Sequence, residues 1–346
     1  MKQNFLKSIS ISIVFLTIAQ CPLFAQPSQK EYANLQTSYK YSKTDSSRVM
    51  ILNQLAWLFR KYDKDKALKY SKKSIVVAEK ADYLEGIGFG NMAIGNVYNY
   101  HSQHDSAIIY YRRAIPYLKE IKRNKIKNFR LGQLYYNLGM AYTGIGFHEE
   151  SISSLIKSVE FFSLSNNKEK LASLYISIAN IYETQKQYSK SLKYANIALE
   201  DTKRIKDTTE YCYVMNDLNN IFLSLHTETK NLKYLKRAKN NFYKTAAIIE
   251  NSPHIDTDGI ILPTILSNIG DCLMREMKYD SAVYYFKKSN LLGTKIKYDW
   301  IKGYNFTYLG EISIKKNQIE EANNYFKKAL LYRKDHGGDD FSLKLY

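Results

Sequence analysis

The amino-acid sequence predicts an all-α protein: a right-handed α-solenoid in which about seven helix pairs are stacked side by side. Three observations support this fold class. A pattern of aliphatic, small and aromatic residues recurs seven times along the chain. Apolar residues within each copy are spaced three and four apart, which is the period of a helix with one buried face. Only 5 prolines and 15 glycines occur in 346 residues, which favours long helices joined by few turns.

The first half of each copy begins with leucine or isoleucine, usually followed by a small residue and, three positions later, by an aromatic residue. Because one helix pair cannot bury its apolar face alone, several such pairs must stack. The leading residues are Leu55, Ile94, Leu138, Ile178, Leu218, Ile269 and Leu309. The small residues include Gly95, Gly139, Gly270 and Gly310, and the aromatic residues include Tyr98, Tyr142 and Tyr182.

The second half of each copy begins with a small residue and carries another small residue seven positions later. We expect these residues to let the two helices of a pair approach closely, while larger side chains fill the space toward the next pair. Asp105 and Asp280 precede the small residues, and their side chains are expected to cap the second helices. The first of the two small positions is occupied by Ala67, Ala107, Ser151, Ser191, Ala238, Ala282 and Ala322.

The clearest copy, Ile94-Gly95…Tyr98…Ala107…Tyr111…Ala114, resembles the tetratricopeptide repeat. Two further copies are close to it: Leu138-Gly139…Tyr142, and Ile269-Gly270…Ala282…Phe286. The resemblance covers residues 46–335. The copies recur at about 40 residues, longer than the roughly 34 of the family, so we expect helices about one turn longer. The fifth copy departs most, with Asn219 at the small position and an insertion before Ala238.

The first 25 residues have the layout of a secretory signal, with Lys2 and Lys7, a short apolar run, and Ala25 before Gln26. We therefore predict a signal peptide over residues 1–25, a linker and N-terminal capping helix over 26–45, and the repeat array over 46–335. Residues 336–346 are either a tail or the start of an eighth pair. The expected location is periplasmic or secreted, with an uncleaved anchor or a lipid on Cys21 as alternatives.

Composition and motifs argue against an enzyme. His101 and His104 are three residues apart but lack an obvious third metal ligand. The glycines of residues 86–90 do not follow a predicted strand, so they match no phosphate-binding loop. There is no Cys-x-x-Cys pair. We predict no catalytic residue, no metal and no cofactor.

The net charge of +18 would attract acidic partners, and export disfavours nucleic acid. The resemblance implies a concave surface on which asparagines next to the Leu-Gly pair bind a peptide backbone; the alternative is that they are exposed polar residues without a role. Arg60, Lys61 and Arg275 are the nearest candidates for a carboxylate clamp. The candidate peptide-binding residues are Asn53, Asn96, Tyr136, Asn137, Asn180, Asn216, Asn220 and Asn268.

The predicted function is that of an exported scaffold or adaptor whose partner is a protein or peptide. Two alternatives stay open at this point. The first is the extracytoplasmic sensor part of a membrane-anchored regulator, and the second is an accessory protein of nutrient uptake at the outer membrane. Tyr100, Tyr213 and Tyr304 are expected on the same inner helix faces as Tyr136, where aromatic residues are good interface anchors.

Overall fold

A computed structural model describes residues 28–334, which form fifteen α-helices and no β-strand. The predicted all-α fold of seven helix pairs is confirmed. The first helix, α1, spans Gln29–Lys40. The pairs are α2 (Asp45–Phe59) with α3 (Lys64–Lys80), α4 (Leu84–Tyr100) with α5 (His104–Lys119), α6 (Asn124–Gly144) with α7 (His148–Leu164), α8 (Leu171–Thr184) with α9 (Tyr188–Ile205), α10 (Thr208–Thr229) with α11 (Leu232–Asn251), α12 (Ile261–Arg275) with α13 (Tyr279–Lys295), and α14 (Asp299–Lys315) with α15 (Ile319–Lys334).

The chain divides into two compact units, one ending at Ile121 and one beginning at Lys122. In the first unit, α1 packs on the first pair: the ring of Tyr32 meets that of Phe59 edge-on at 5.0 Å, and its hydroxyl lies 3.1 Å from that of Tyr70. The predicted signal peptide and C-terminal tail lie outside the described residues. Between residues 28 and 334, every helix is too short or too polar to cross a bilayer.

Most pairs are joined by three-residue turns in which one residue takes the left-handed conformation. In the fourth pair Lys186 has a φ of 58°, and the next N–H, of Gln187, donates to the carbonyl of Tyr182 at 2.8 Å. Met277 and Asn317 occupy the same place in later turns, and only Gly146 fills it with glycine within a pair. Because this hydrogen bond satisfies a free carbonyl at the helix end, the fold tolerates non-glycine residues there.

The prediction that Asp105 and Asp280 cap second helices is wrong. The turn residue is followed by a single extended residue, Gln103 or Lys278, and the helix starts immediately after it. Neither of these N-cap residues makes a side-chain cap hydrogen bond. The short turn therefore moves both aspartates into the first helical turn, where a carboxylate still interacts favourably with the helix dipole.

The seven leading aliphatic residues are all buried, with at most 4% of their surface exposed. Our expectation that small residues face small residues within a pair is wrong at the glycines. A Cβ atom on Gly270 would lie 2.7 Å from the ring of Phe286, and one on Gly310 would lie 2.6 Å from the ring of Phe326. The glycine thus makes room for a large side chain of the second helix. In the fourth pair, where the first helix has Ala179, the corresponding residue is Ala195, and both are fully buried.

In the second unit the first helices of successive pairs are in contact: α8 with α10, α10 with α12, and α12 with α14. The second helices pack instead between the first helix of their own pair and that of the next pair. Because the first helices lie closer together, they form the inner layer of this unit. Side chains that leave this layer on the side away from the second helices are available to a ligand.

Candidate functional site: a directed amide ladder and a pocket

Four polar side chains on three inner helices of the second unit form one hydrogen-bonded chain, which we call the amide ladder: Asn180 on α8, Asn216 and Asp217 on α10, and Asn268 on α12. Asn268 Nδ2 donates to Asn216 Oδ1 at 2.9 Å. Asn216 Nδ2 donates to Asp217 Oδ1, and Asn180 Nδ2 to Asp217 Oδ2, both at 3.1 Å. The ladder therefore spans three consecutive repeats.

The direction of every hydrogen bond in the ladder is fixed by its carboxylate. Ionised Asp217 can only accept, so Asn180 and Asn216 must turn their NH₂ groups toward it. The amide oxygen of Asn216 then faces α12, which forces Asn268 to donate as well. The nitrogen of each amide therefore donates a hydrogen bond within the ladder. The side-chain oxygens of Asn180 and Asn268 accept no hydrogen bond from the described residues. The exposed side of the ladder is rich in acceptors.

The carboxylate of Asp217 has no cationic partner among residues 28–334. Burial raises the pKa of Asp217, and the hydrogen bonds from Asn180 and Asn216 only partly offset this effect. A buried charge without an ion-pair partner is unfavourable for the folded state, and such groups are found more often at functional sites than elsewhere.

A pocket of about 340 Å³ opens beside the ladder. Asn220, half-buried at its edge, makes no hydrogen bond to any residue that the structure describes, so its amide is free for a ligand. The aromatic residues that line the pocket are Tyr213, Tyr298 and Trp300, and the ring centroids of Tyr298 and Trp300 are 6.0 Å apart. The full lining is Tyr213, Asn216, Asp217, Asn220, Ile260, Ile261, Thr264, Asn268, Tyr298, Trp300 and Ile301.

The surroundings of the pocket are acidic, although the chain carries a net charge of +18. The pKa of Tyr213 is raised by burial and further by the nearby carboxylates of Asp256, Asp258 and Glu210. No lysine or arginine between residues 28 and 334 lines the pocket. An incoming anion would meet a negative field here, whereas a cation would be attracted.

The other candidates in the second unit, Tyr136 and Asn137, are half-buried on α6 and outside the ladder. Burial raises the pKa of Tyr136, with a further contribution from the nearby carboxylate of Glu210 on α10. Of the other predicted aromatic anchors, Tyr213 lines the pocket, and the ring of Tyr304 lies 4.4 Å from that of Trp300.

Asn53 and Asn96 belong to the first unit. The Oδ1 of Asn96 accepts a hydrogen bond of 2.9 Å from the hydroxyl of Tyr111, within its own pair. The Oδ1 of Asn53 is buried and has no hydrogen-bond partner among the residues that the structure describes. Within the second unit, the structure joins three of the seven candidate asparagines in one network and places Asn220 beside them.

The three candidates for a carboxylate clamp are divided between the two units. Arg275 donates to Asp271 at 2.9 Å and to Thr227 at 2.6 Å, while Arg60 lies in the first unit with its guanidinium 3.3 Å from the ring of Trp57. Lys61 is exposed.

The two histidines singled out from the sequence bind protein groups. His101 Nε2 lies 2.9 Å from the carbonyl of Arg60, and His104 Nδ1 lies 2.8 Å from the side-chain oxygen of Asn99. No group of three or more His, Cys, Asp or Glu side chains suited to a metal occurs in the described part of the chain.

Sequence reasoning missed Asp217, Tyr298 and Trp300. Asp217 directly follows a predicted asparagine, and its proximity to Asn180 and Asn268 depends on how α8, α10 and α12 stack. Tyr298 immediately precedes α14 and Trp300 lies in the first turn of that helix, and both are outside the repeat pattern. A search for aromatic residues at the starts of first helices would have found them.

Comparison with known proteins agrees with the architecture. Family models described as tetratricopeptide repeats match residues 130–204 and residues 309–336. No functionally curated protein matches the chain in sequence.

Among solved structures, the apo form of the quorum sensor NprR from B. thuringiensis is similar with a TM-score of 0.64 at 17% identity, over 88% of this chain and 81% of that one. The apo form of RapI gives 0.60 at 15% identity, over 83% and 97%. A Rap protein complexed with Competence and Sporulation Factor gives 0.52 at 14% identity, over 89% and 99%. At these identities the likeness concerns the fold.

Proposed function

Because the chain belongs to the tetratricopeptide-repeat family, we propose that it is a non-enzymatic protein that binds a peptide segment on the inner layer of its second unit. The observation that carries this proposal is the amide ladder beside a pocket. Side-chain amides and a carboxylate that line up across α8, α10 and α12 offer hydrogen-bonding groups at intervals along a groove. Such groups suit the repeating N–H and C=O groups of a peptide backbone.

The side-chain amide of Asn220 also supports peptide binding. The half-buried amide of Asn220 makes no hydrogen bond within the described residues, so it can exchange its contacts with water for contacts with a ligand. A bound peptide suits it, because the amide can donate to a backbone carbonyl and accept from a backbone N–H. The aromatic residues Tyr213, Tyr298 and Trp300 would supply the apolar contact area that holds peptide side chains.

Two of the structural relatives favour signal recognition over a passive scaffold. NprR is described as a quorum sensor, and one Rap protein is complexed with Competence and Sporulation Factor. We therefore place sensing of an external peptide, as in the sensor alternative, beside the scaffold function as the second candidate. A binding partner that is a whole protein with an extended segment would fit the scaffold, and a free peptide would fit the sensor.

The test is selection of ligands from a displayed library of random short peptides, followed by fluorescence anisotropy with labelled copies. Asn180→Ala, Asn220→Ala and Asn268→Ala are each expected to weaken binding by about tenfold, since one hydrogen bond of about 1–1.5 kcal/mol is lost. The matched controls are Asn196→Ala and Asn240→Ala, exposed asparagines on the second helices α9 and α11. Equal affinity for all five variants would refute the proposed site.

Export is part of the proposal, based on the signal-like residues 1–25. Mass spectrometry of the mature protein is expected to show Gln26 as the first residue. A lipid on Cys21 would instead support the alternative of an accessory protein for nutrient uptake at the outer membrane. A chain recovered from the cytoplasm with Met1 intact would contradict export.

A further inference from the structure

We propose that the pocket beside Asp217 binds the ammonium group of the peptide ligand, supplied by a lysine side chain or by a free N terminus. This inference rests on the proposed peptide-binding function and specifies which ligands it would accept. It follows from three features of the pocket: its acceptors, its aromatic walls and its charge.

The first feature is the set of hydrogen-bond acceptors around Asp217. Asp217 accepts one amide on each carboxylate oxygen, and each oxygen keeps further lone-pair capacity. The neighbouring amides have turned their nitrogens toward the carboxylate, so what they offer to a ligand is mainly oxygen. An ammonium group has three donors and no acceptor. It therefore matches this end of the pocket, whereas a carboxylate or a phosphate would face the carboxylate of Asp217 and the amide oxygens around it.

The second feature is the aromatic wall. Tyr213, Tyr298 and Trp300 line the same pocket as Asp217. The face of an aromatic ring attracts a cation, most strongly for tryptophan, and its apolar surface contacts the methylene groups next to the charge. The volume of about 340 Å³ lies near the lower end of the range for ligand sites. It suits one long side chain or a chain terminus rather than a folded element.

The third feature is the local charge. Glu210, Asp256 and Asp258 lie close enough to raise the pKa of the Tyr213 phenol, together with its burial. The ion pair that Asp217 lacks in the folded chain would be supplied by the ligand. A charge-assisted hydrogen bond to a partly desolvated carboxylate contributes more than a neutral one, about 1.5–3 kcal/mol. That value corresponds to roughly a 10- to 100-fold difference in affinity.

The experiment uses a synthetic peptide array in which one lysine moves through an alanine–serine background. Each peptide is also made with norleucine in place of lysine, and each version is made with a free and with an acetylated N terminus. Norleucine keeps the methylene groups of lysine and removes the charge. The comparison of lysine with norleucine therefore tests the side-chain ammonium group, and the comparison of free with acetylated peptides tests the terminal one. Binding peptides are then measured in solution against the full-length wild type, Asp217→Asn and Glu160→Gln. Glu160 is exposed on α7, a second helix, and serves as the matched carboxylate control.

We expect one of the two ammonium groups to improve wild-type affinity by at least about tenfold. In Asp217→Asn that preference should disappear while the norleucine peptide still binds, and Glu160→Gln should behave as wild type. A second variant, Tyr213→Leu, keeps the carboxylate and is expected to weaken binding of the peptide with the preferred ammonium group more than that of its uncharged counterpart. Circular dichroism checks that each variant is folded.

The outcomes separate the two proposals. Peptides that bind the wild type without any preference for an ammonium group would overturn this inference and leave the peptide-binding function standing. A preference that survives Asp217→Asn would also overturn it. If no peptide from the array or from the displayed library binds, the proposed function itself fails.

Discussion

The glycine-to-ring contact in the sixth pair gives a quantitative test of how the repeats are packed. A Cβ on Gly270 would lie 2.7–2.9 Å from three atoms of the Phe286 ring, which is fully buried and stacked at 5.1 Å on the ring of Tyr308. The ring cannot swing away, so Gly270→Ala should introduce overpacking of about 2 kcal/mol. Alanine gains about 1 kcal/mol of helix propensity over glycine. The net loss in the free energy of unfolding is then about 1 kcal/mol.

Phe286→Ala alone should cost about 4 kcal/mol, because it leaves a large cavity. In the double variant the clash is gone, the propensity gain remains, and the new methyl group fills part of the cavity. The double variant should therefore lose about 3 kcal/mol in the free energy of unfolding. The losses of the two single variants would add to about 5 kcal/mol. The expected coupling is therefore about 2 kcal/mol. The fully buried Ala179 and Ala195 show that a pair with alanine at both positions occurs naturally in this chain.

The assay is urea unfolding followed by circular dichroism and by the fluorescence of Trp300, in a Trp57→Phe background, because these are the chain's 2 tryptophans and they lie in different units. The control combines Phe286→Ala with Ala179→Gly, two repeats away, whose effects should add. Additivity within about 0.5 kcal/mol for the Gly270 and Phe286 pair would refute the packing argument.

Three further predictions concern the turns, the buried carboxylate and the thiols. Gly146→Ala should lower the free energy of unfolding by about 1 kcal/mol and Met277→Gly should raise it by a similar amount, since both positions have positive φ and Gly146 has open space around it. Because the pKa of Asp217 is raised, the native state binds the carboxyl proton more tightly than the unfolded state does. The free energy of unfolding should therefore fall as the pH rises from the unfolded-state pKa through the native-state pKa. Urea titrations between pH 4 and 8 should show a smaller fall in this free energy for Asp217→Asn than for the wild type. Burial raises the pKa of Cys212 to about 11 and that of Cys272 still further, so iodoacetamide at neutral pH should label either thiol only after denaturant is added.

The seven helix pairs could be predicted from sequence because each copy repeats the same spacing of buried residues. Leu55, Ile178 and Leu309 fall at equivalent positions, and all are buried. Helix starts were harder to predict. Asp105 and Asp280 are good capping residues in isolation, yet the left-handed turn residue before them sets where the helix begins. The geometry of the turn, rather than the capping preference of aspartate, therefore determines where these helices start.

The candidate site was only partly predictable, for a reason that lies in the stacking. The asparagines of the ladder are found by their place next to the leading aliphatic residue, which the repeat register supplies. Which of them meet depends on the distances between α8, α10 and α12, and the sequence does not encode these directly. Asn96 occupies the same register as Asn180 and Asn220, but its side-chain oxygen is taken by Tyr111. The large residue that Gly95 admits into the pair therefore removes that asparagine oxygen from the set available to a ligand.

The charge of the site shows why net composition is a weak guide to a partner. A chain with a net charge of +18 suggests an acidic ligand. Within the described part of the chain, however, no basic residue lines the pocket beside Asp217, and several carboxylates lie near it. Surface lysines act at a distance that salt screens within about 10 Å, whereas a partly buried carboxylate acts on a ligand in contact with it. The overall charge therefore governs how partners approach, and the identity of the group that fits the pocket is decided by Asp217 and the amides that it orients.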